Sequence, residues 1–405
     1  MHIIPALINY PPDLITVKVQ EDIHVLNNFY LLQIYACECI IINICTSYLL
    51  ISRLSKEALS LYKVGIIGDG YTAADLLRLI GGHDELEVVS ILSTENVGRR
   101  VDNLYPQLTG FTDLVCQESN LDIIKDKCDA VFLALPHGLS VAMAMELLPA
   151  GIRCVDLGAD FRLKDATLYE KYYDKIHEAP ELLEEAVYGL PELYRDKIKE
   201  TRLVANPGCF PTGAILPLVP LLVAQLLEPE GIIVDSKSGV SGAGRTLRES
   251  SHFCEVNEGI HAYGVGTHRH GPEIAQELSI AAGKPVEMIF TPHLVPMNRG
   301  ILTTTYARLQ AGISATAVRE LLEEKYREEK FVQVLPPGVM PHTKWVYGSN
   351  IVQIGIYTDE VSGRVILISA LDNLTKGASG QAIQNLNIIL GITESKGLNF
   401  PGVHP

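Results

Sequence analysis

KVGIIGDGYTAADLLRLI, residues 63–80, joins an apolar run to an amphipathic one through two glycines, and this junction restricts the fold more than any other stretch. KVGIIG (Lys63–Gly68) has strand length and no polar alternation, which suits a strand buried on both faces of a parallel sheet. In the segment that follows, Ala73, Leu76, Leu77 and Ile80 recur at helical spacing. LEVVSIL (Leu86–Leu92), DAVFLALP (Asp129–Pro136) and RCVDLG (Arg153–Gly158) read as further strands, with a helix over Leu139–Leu148. Strands alternating with helices predict an α/β architecture, a Rossmann-type domain built on a parallel sheet.

Beyond Pro207 the pattern changes. GIIVDSKSG, VEMIFTP, ILTTTYARL, NIVQIGIY and GRVILISAL read as strands, the later ones with few helices between them. That favours a mixed or antiparallel sheet in an α+β domain. Helices are expected over Pro211–Leu227, Pro272–Ala282, Ala315–Glu328 and Lys376–Leu390.

The glycine junction carries chemistry of its own. Gly68-Asp69-Gly70-Tyr71-Thr72-Ala73 fits G-x-G-x-x-A, in which the glycines admit a pyrophosphate to the backbone at a helix N-terminus. Asp69 is a complication, because a carboxylate in that turn repels phosphate unless it points away. LEVVSIL leads into Ser93 and Thr94, with Arg99 and Arg100 a few residues on. Hydroxyls and guanidinium groups suit a 2′-phosphate and favour NADP, while Glu95 keeps NAD open. SKSGVSGAGR (Ser236–Arg245) is a second small-residue cluster where backbone can approach a ligand and Arg245 can meet an anion.

VANPGCFPTGAIL places Cys209 between a glycine and an apolar helix, at a helix N-terminus that favours thiolate. THRHGPEI offers His268 and His270 as proton acceptors, and their spacing outside a helix turns only one of them toward Cys209. The H-x-H pair lacks a supporting set of metal ligands, so no metal is expected. Arg162 in DLGADFRL and Arg299 in PMNRG each follow a strand and are candidates for anionic substrate groups.

A net charge of −15 argues against a nucleic-acid surface. The eight cysteines lack disulfide-framework spacing and read as reduced thiols in a cytoplasmic protein. Residues 1–60 read as an atypical leader. Its apolar run Phe29–Ile51 is interrupted by Gln33, Glu38 and Asn43, so no membrane span is expected. Cys37, Cys39 and Cys45 lack a fourth ligand nearby.

From Lys63 to Pro405 the chain resembles the N-acetyl-gamma-glutamyl-phosphate reductase family. The resemblance rests on KVGIIGDGYTAADLL, YPQLTG, DLGADFRL, AVYGLPEL, VANPGCFPTGAILPL, SGVSGAGR, THRHGPEI, HLVPMNRGIL, VYGSN and DNLTKGASGQAIQN, in that order. It implies an NADPH-dependent reduction of a small-molecule acyl phosphate to a semialdehyde in arginine biosynthesis, in a homodimer or homotetramer. It implies Cys209 as the nucleophile and His268 as its acid–base partner. Cofactor contacts are expected from Gly68, Gly70, Tyr71, Thr72, Ala73, Ser93, Arg99, Ser238, Ser241, Gly242 and Asn373. Substrate contacts are expected from Arg162, Arg245, His270 and Arg299. It also implies a discontinuous nucleotide domain, residues 61–207 with 372–405, around a catalytic domain, 208–371. The family's turn, G-x-x-G-Y-[ST]-G, is one residue longer than the turn here. A carrier-linked aminoadipyl-phosphate reductase of lysine biosynthesis and a non-catalytic nucleotide-binding scaffold remain the alternatives.

Overall fold

The computed structural model of this protein describes residues 61–404. The expectations for the leader, for Phe29–Ile51 and for Cys37, Cys39 and Cys45 lie outside the described residues.

Two sheets organise residues 61–404. In the first, β1 (Tyr62–Ile67), β2 (Leu86–Leu92), β3 (Ala130–Leu133), β4 (Arg153–Asp156), β5 (Val187–Tyr188) and β6 (Leu203–Ala205) run in the order β2-β1-β3-β4-β6-β5, with every pairing parallel. The chain steps from β1 outward to β2 and returns to place β3 on the other side. The strand order thus reverses between β1 and β3, which opens a crevice at their C-terminal ends. The short strands β5 and β6 were not anticipated. Two or three residues are too few to show a period.

The second sheet is mixed, as its closely spaced strands suggest. It comprises β7 (Ile232–Ser238), β8 (His261–Ala262), β9 (Met288–Leu294), β10 (Ile301–Arg308), β11 (Val332–Val334), β12 (Val352–Asp359) and β13 (Arg364–Leu371), in the order β11-β12-β13-β10-β7-β9-β8. β7–β9 and β11–β12 are parallel, and the remaining pairs are antiparallel. Strand β9 runs on through Pro292, where the sequence reading stops.

The first sheet is flanked by α1 (Tyr71–Ile80). Across the second lies α2 (Cys209–Val223), whose apolar residues are almost all buried. Helix α2 contains Pro217 and Pro220, and each removes an N–H from the helix ladder. The carbonyls four residues earlier find other donors. Ser369 Oγ donates to Gly213 O at 2.7 Å, and Tyr326 Oη donates to Leu216 O. Tertiary hydroxyls therefore satisfy the helix that presents Cys209. Two further helices complete the frame of the site, α3 (His270–Ala282) and α4 (Gly380–Ile389). Ala382, Ile383 and Leu386 of α4 pack into the same core as Val64 and Ile66 of β1.

Among the described residues no helix is long and apolar enough to cross a membrane.

Candidate active site

A cavity of about 750 Å³ follows the C-terminal ends of the first sheet from the glycine turn to Cys209. At one end Gly68 has φ +114°, and a Cβ there would lie 2.2 Å from Ala134 O. Only glycine lets β1 pass β3 this closely. A Cβ on Gly70 would meet nothing within 4 Å, so the backbone there is open to a ligand. The first turn of α1 faces the same space through Tyr71 and Thr72. A glycine-lined backbone at a helix N-terminus, opening on an elongated cavity, fits a dinucleotide.

At the other end Gly208 is the extended N-cap of α2 and Cys209 its first residue. Pro211 falls in the first turn, where a missing N–H costs nothing. His270 lies over Gly208: a Cβ there would stand 2.5 Å from His270 Nε2. Gly377 packs against Cys209, and a Cβ on it would stand 2.8 Å from the Cys209 Cβ. Arg162 is buried, and its Nη1 is 3.5 Å from both His270 Nε2 and Glu273 Oε2. Glu273 Oε1 accepts from Gly208 N at 2.9 Å and from Tyr188 Oη at 2.8 Å. His270 Nδ1 is buried and has no hydrogen-bond partner among the described residues.

Electrostatics departs from the expectation that the helix terminus makes Cys209 anionic. Burial pushes its thiol up to about 11, against the pull of Arg162 and of the Phe210 N–H, and the Glu273 charge adds to the rise. Desolvation of the charged form outweighs the N-terminal field. Burial, with His268, Arg162 and Arg269 adding, also holds His270 well below the usual imidazole range. At neutral pH Cys209 is therefore a thiol and His270 a neutral imidazole.

Gly68, Gly70, Tyr71, Thr72 and Ser93 line the cavity, as do Ser241, Gly242 and Asn373. Cys209, Arg162, Arg245 and His270 line it as well. Five expected residues stand elsewhere. Ala73 is fully buried inside α1. Ser238 lies beneath the glycine loop and donates to Gly239 O at 3.1 Å. The exposed Arg99 turns its guanidinium onto Asn96 Oδ1 at 2.9 Å. Arg299 is locked between Asp75 and Asp372, 3.3 and 3.0 Å away, so its charge is spent on the frame. His268 sits behind His270, its Nδ1 accepting from the His270 N–H at 3.1 Å, its ring edge-on to Phe210 and Phe290. Of the two histidines, His270 is the one on the cavity wall. Arg245 is at the glycine-turn end, over the Tyr105 ring, rather than beside Cys209.

The sequence reading missed Glu273, although HGPEI offered an acid in the first turn of a helix. It also missed Tyr105, whose hydroxyl donates to Asp69 O at 2.7 Å. A lone tyrosine in a loop gives no periodic signal.

Residues 63–201 match the family model described as semialdehyde dehydrogenase, NAD binding domain, and residues 209–373 match its dimerisation domain. The chain is similar to aspartate semialdehyde dehydrogenase II from Vibrio cholerae, with a TM-score of 0.64 at 18% identity over 82% of this chain and 99% of that one. It is similar to the Candida albicans aspartate semialdehyde dehydrogenase solved with NADP, with a TM-score of 0.60 at 16% identity over 82% and 99%. At such identities the likeness is one of fold. Sequence relatives are nearer. The N-acetyl-gamma-glutamyl-phosphate reductase of Pelotomaculum thermopropionicum is 52% identical over 85% of this chain and 99% of its own length. Those of Moorella thermoacetica and Rhodospirillum rubrum are 50% and 51% identical, over 85% and 84% of this chain and 99% and 98% of their own lengths. The chain belongs to the N-acetyl-gamma-glutamyl-phosphate reductase family.

Proposed function

We propose that this chain reduces N-acetyl-gamma-glutamyl phosphate to N-acetylglutamate semialdehyde and phosphate, with NADPH as cofactor. Arginine biosynthesis and a cytoplasmic setting belong to the same reading. The observation that carries it is the meeting of Cys209, His270 and Arg162 at one end of a cavity whose other end is the glycine turn.

Gly68, Gly70 and the first turn of α1 would hold the pyrophosphate, and Ser241, Gly242 and Asn373 the nicotinamide side. When bound, the cofactor supplies a hydride to the acyl group carried on Cys209. The protein's own work is nucleophilic and acid–base. The Cys209 sulfur bonds to the acyl carbon as the bond to phosphate breaks, leaving a thioester. His270 takes the thiol proton as that bond forms and returns it when the sulfur departs. This assigns the proton to His270 rather than His268. Arg162 supplies a fixed positive charge beside the sulfur. Glu273 holds Arg162 and the Gly208 backbone in place.

The packing supports the division into residues 61–207 with 372–405 and residues 208–371, since α4 shares the core of the first sheet. For assembly we propose a homodimer through the outer face of the second sheet. Tyr357, Ile366, Tyr306, Ile233 and Ile289 stand side by side across five strands on that face. Ile289 is 63% exposed and Tyr357 53%, an apolar row that a second copy would cover.

Phosphate-dependent reduction of NADP⁺ by N-acetylglutamate semialdehyde tests the reading in reverse. Turnover is expected from the wild type and none from Cys209→Ser. Turnover retained in that variant would remove the thioester route. Preference for a carrier-linked aminoadipyl substrate would replace the substrate assignment.

A further inference from the structure

Asp69 stands in the cavity wall between Gly68 and Gly70 and reaches across to the end of β2. Its Oδ2 accepts from Ser93 Oγ at 2.7 Å and from Asn96 Nδ2 at 2.6 Å. No described residue donates to Oδ1. The end of β2 beside the glycine turn is where this class of fold reads the ribose of the adenosine half of a dinucleotide.

Of the groups expected to hold a 2′-phosphate there, Ser93, Arg99 and Arg100 are already committed, and Thr94 is the one left without a hydrogen bond among the described residues. The single proton of Ser93 Oγ goes to Asp69, and the same oxygen accepts from Glu95 N and Asn96 N at 3.2 and 2.9 Å. Ser93 has no proton left for a phosphate. Arg99 is drawn to Asn96, and Arg100 lies between Asp102 and Asp113 at 2.7 and 3.0 Å. Neither arginine is on the cavity wall. The loop after β2 contributes Ser93, Thr94, Glu95 and Asn96 to that wall, a set with one carboxylate and no cation. Arg245 is a cation on the wall at this end, but it rests on the Tyr105 ring and donates to the Tyr105 hydroxyl, which in turn donates to Asp69 O at 2.7 Å.

We infer that Asp69 is a specificity-determining residue that reads a free ribose 2′-hydroxyl through Oδ1 and opposes a 2′-phosphate. The enzyme then tolerates NADPH without selecting it and takes NADH as a second cofactor. A hydroxyl donates to a carboxylate oxygen, whereas a phosphate brings like charge against it. The inference rests on reading this cavity as the nicotinamide nucleotide site.

Calorimetric titration with 5′-AMP and 2′,5′-ADP, which differ only by the 2′-phosphate, each competed with NADPH, tests it without turnover. The wild type is expected to bind 5′-AMP at least as tightly as 2′,5′-ADP. Asp69→Asn keeps the shape and removes the charge. It should tighten 2′,5′-ADP by about tenfold or more and change 5′-AMP by less than about threefold, a differential the charge alone predicts. A second measurement needs no variant. Raising salt screens repulsion, so 2′,5′-ADP should gain on 5′-AMP as salt increases in the wild type. A tenfold wild-type preference for 2′,5′-ADP that weakens with salt would overturn the inference. So would an Asp69→Asn variant that shifts both nucleotides equally. Nucleotides that bind without competing with NADPH, or fail to bind, would overturn the nucleotide-site reading as well and are told apart by the competition.

Discussion

The backbone N–H of Gly208 donates to Glu273 Oε1 at 2.9 Å, fixing the residue before the candidate nucleophile to the helix that carries His270. The same carboxylate faces Arg162, so one buried side chain couples backbone, cation and imidazole support. Removing it should be felt in two separable ways. Glu273→Ala leaves Arg162 buried without its counter-charge and should cost about 3–5 kcal/mol of stability, read from urea unfolding. Glu273→Gln keeps the shape but removes a charge that raises the Cys209 thiol. Iodoacetamide should therefore alkylate Cys209 faster at pH 7.5, while kcat/KM falls by about 10²-fold from lost positioning. Slower alkylation in Glu273→Gln would contradict the electrostatic part.

The two histidines should separate by role. His270→Asn is expected to lower kcat/KM by about 10²–10⁴-fold, the usual worth of a positioned proton acceptor. His268→Asn should cost less than about tenfold, since His268 touches only the His270 backbone and neighbouring rings. With the thiol at about 11, its ionised fraction grows about tenfold per pH unit below that value. The residual activity of His270→Asn should therefore climb steeply from pH 7 to 10, with a flatter wild-type profile. Initial rates across that range check both statements, and a larger loss in His268→Asn than in His270→Asn would return the assignment to His268.

How much of this was visible in the chain depends on what kind of signal each part leaves. Strand β2 was read at its observed bounds, Leu86–Leu92, because seven apolar-rich residues bounded by turns leave little freedom. The Cys209 position followed from Pro207, Gly208 and Pro211, whose backbone limits are local. The thiol's state did not follow, because burial is a property of packing and here it outweighs the helix terminus. Choosing between His268 and His270 required knowing which ring lies over Gly208. Arg299 looked like an anion binder because a sequence lists its charge and not the two carboxylates that consume it. Asp69 raised a question in the glycine turn, and only the fold shows that it answers to Ser93 and Asn96.

Acid should destabilise the protein through its buried imidazoles. Burial, helped by Arg269, pushes His268 down to about 4, and burial also lowers His83, His137, His177 and His270. A folded-state pKa below the unfolded value means the unfolded chain binds more protons between the two. Stability is then present above pH 6.5 and lost as pH falls toward 4. Asp156, pushed up to about 7 by burial and by Asp160, acts with the opposite sign over the same range. The difference between wild type and His268→Asn isolates one group. Its share should shrink by at most about 3 kcal/mol from pH 6.5 to 4, measured by urea unfolding at several pH values. Identical pH slopes in the two proteins would show that His268 is not held neutral by the fold.

The apolar row on the second sheet makes a prediction about assembly that is independent of the chemistry. Tyr306 lies opposite Ile366 on β13 and Ile233 on β7, near the middle of the row. In a two-fold interface each residue appears twice, so one substitution places two charges in the covered patch. Ile233→Asp or Tyr306→Asp should each weaken association by about 2 kcal/mol or more, the scale of a central contact. Sedimentation of the wild type should give twice the chain mass, and of the variants a shift toward the single-chain mass on dilution. None of Tyr357, Ile366, Tyr306, Ile233 and Ile289 lines the cavity from the glycine turn to Cys209. Nucleotide binding should therefore survive in the dissociated variants, which separates loss of assembly from loss of fold. Variants that stay dimeric at every dilution would move the interface to another face.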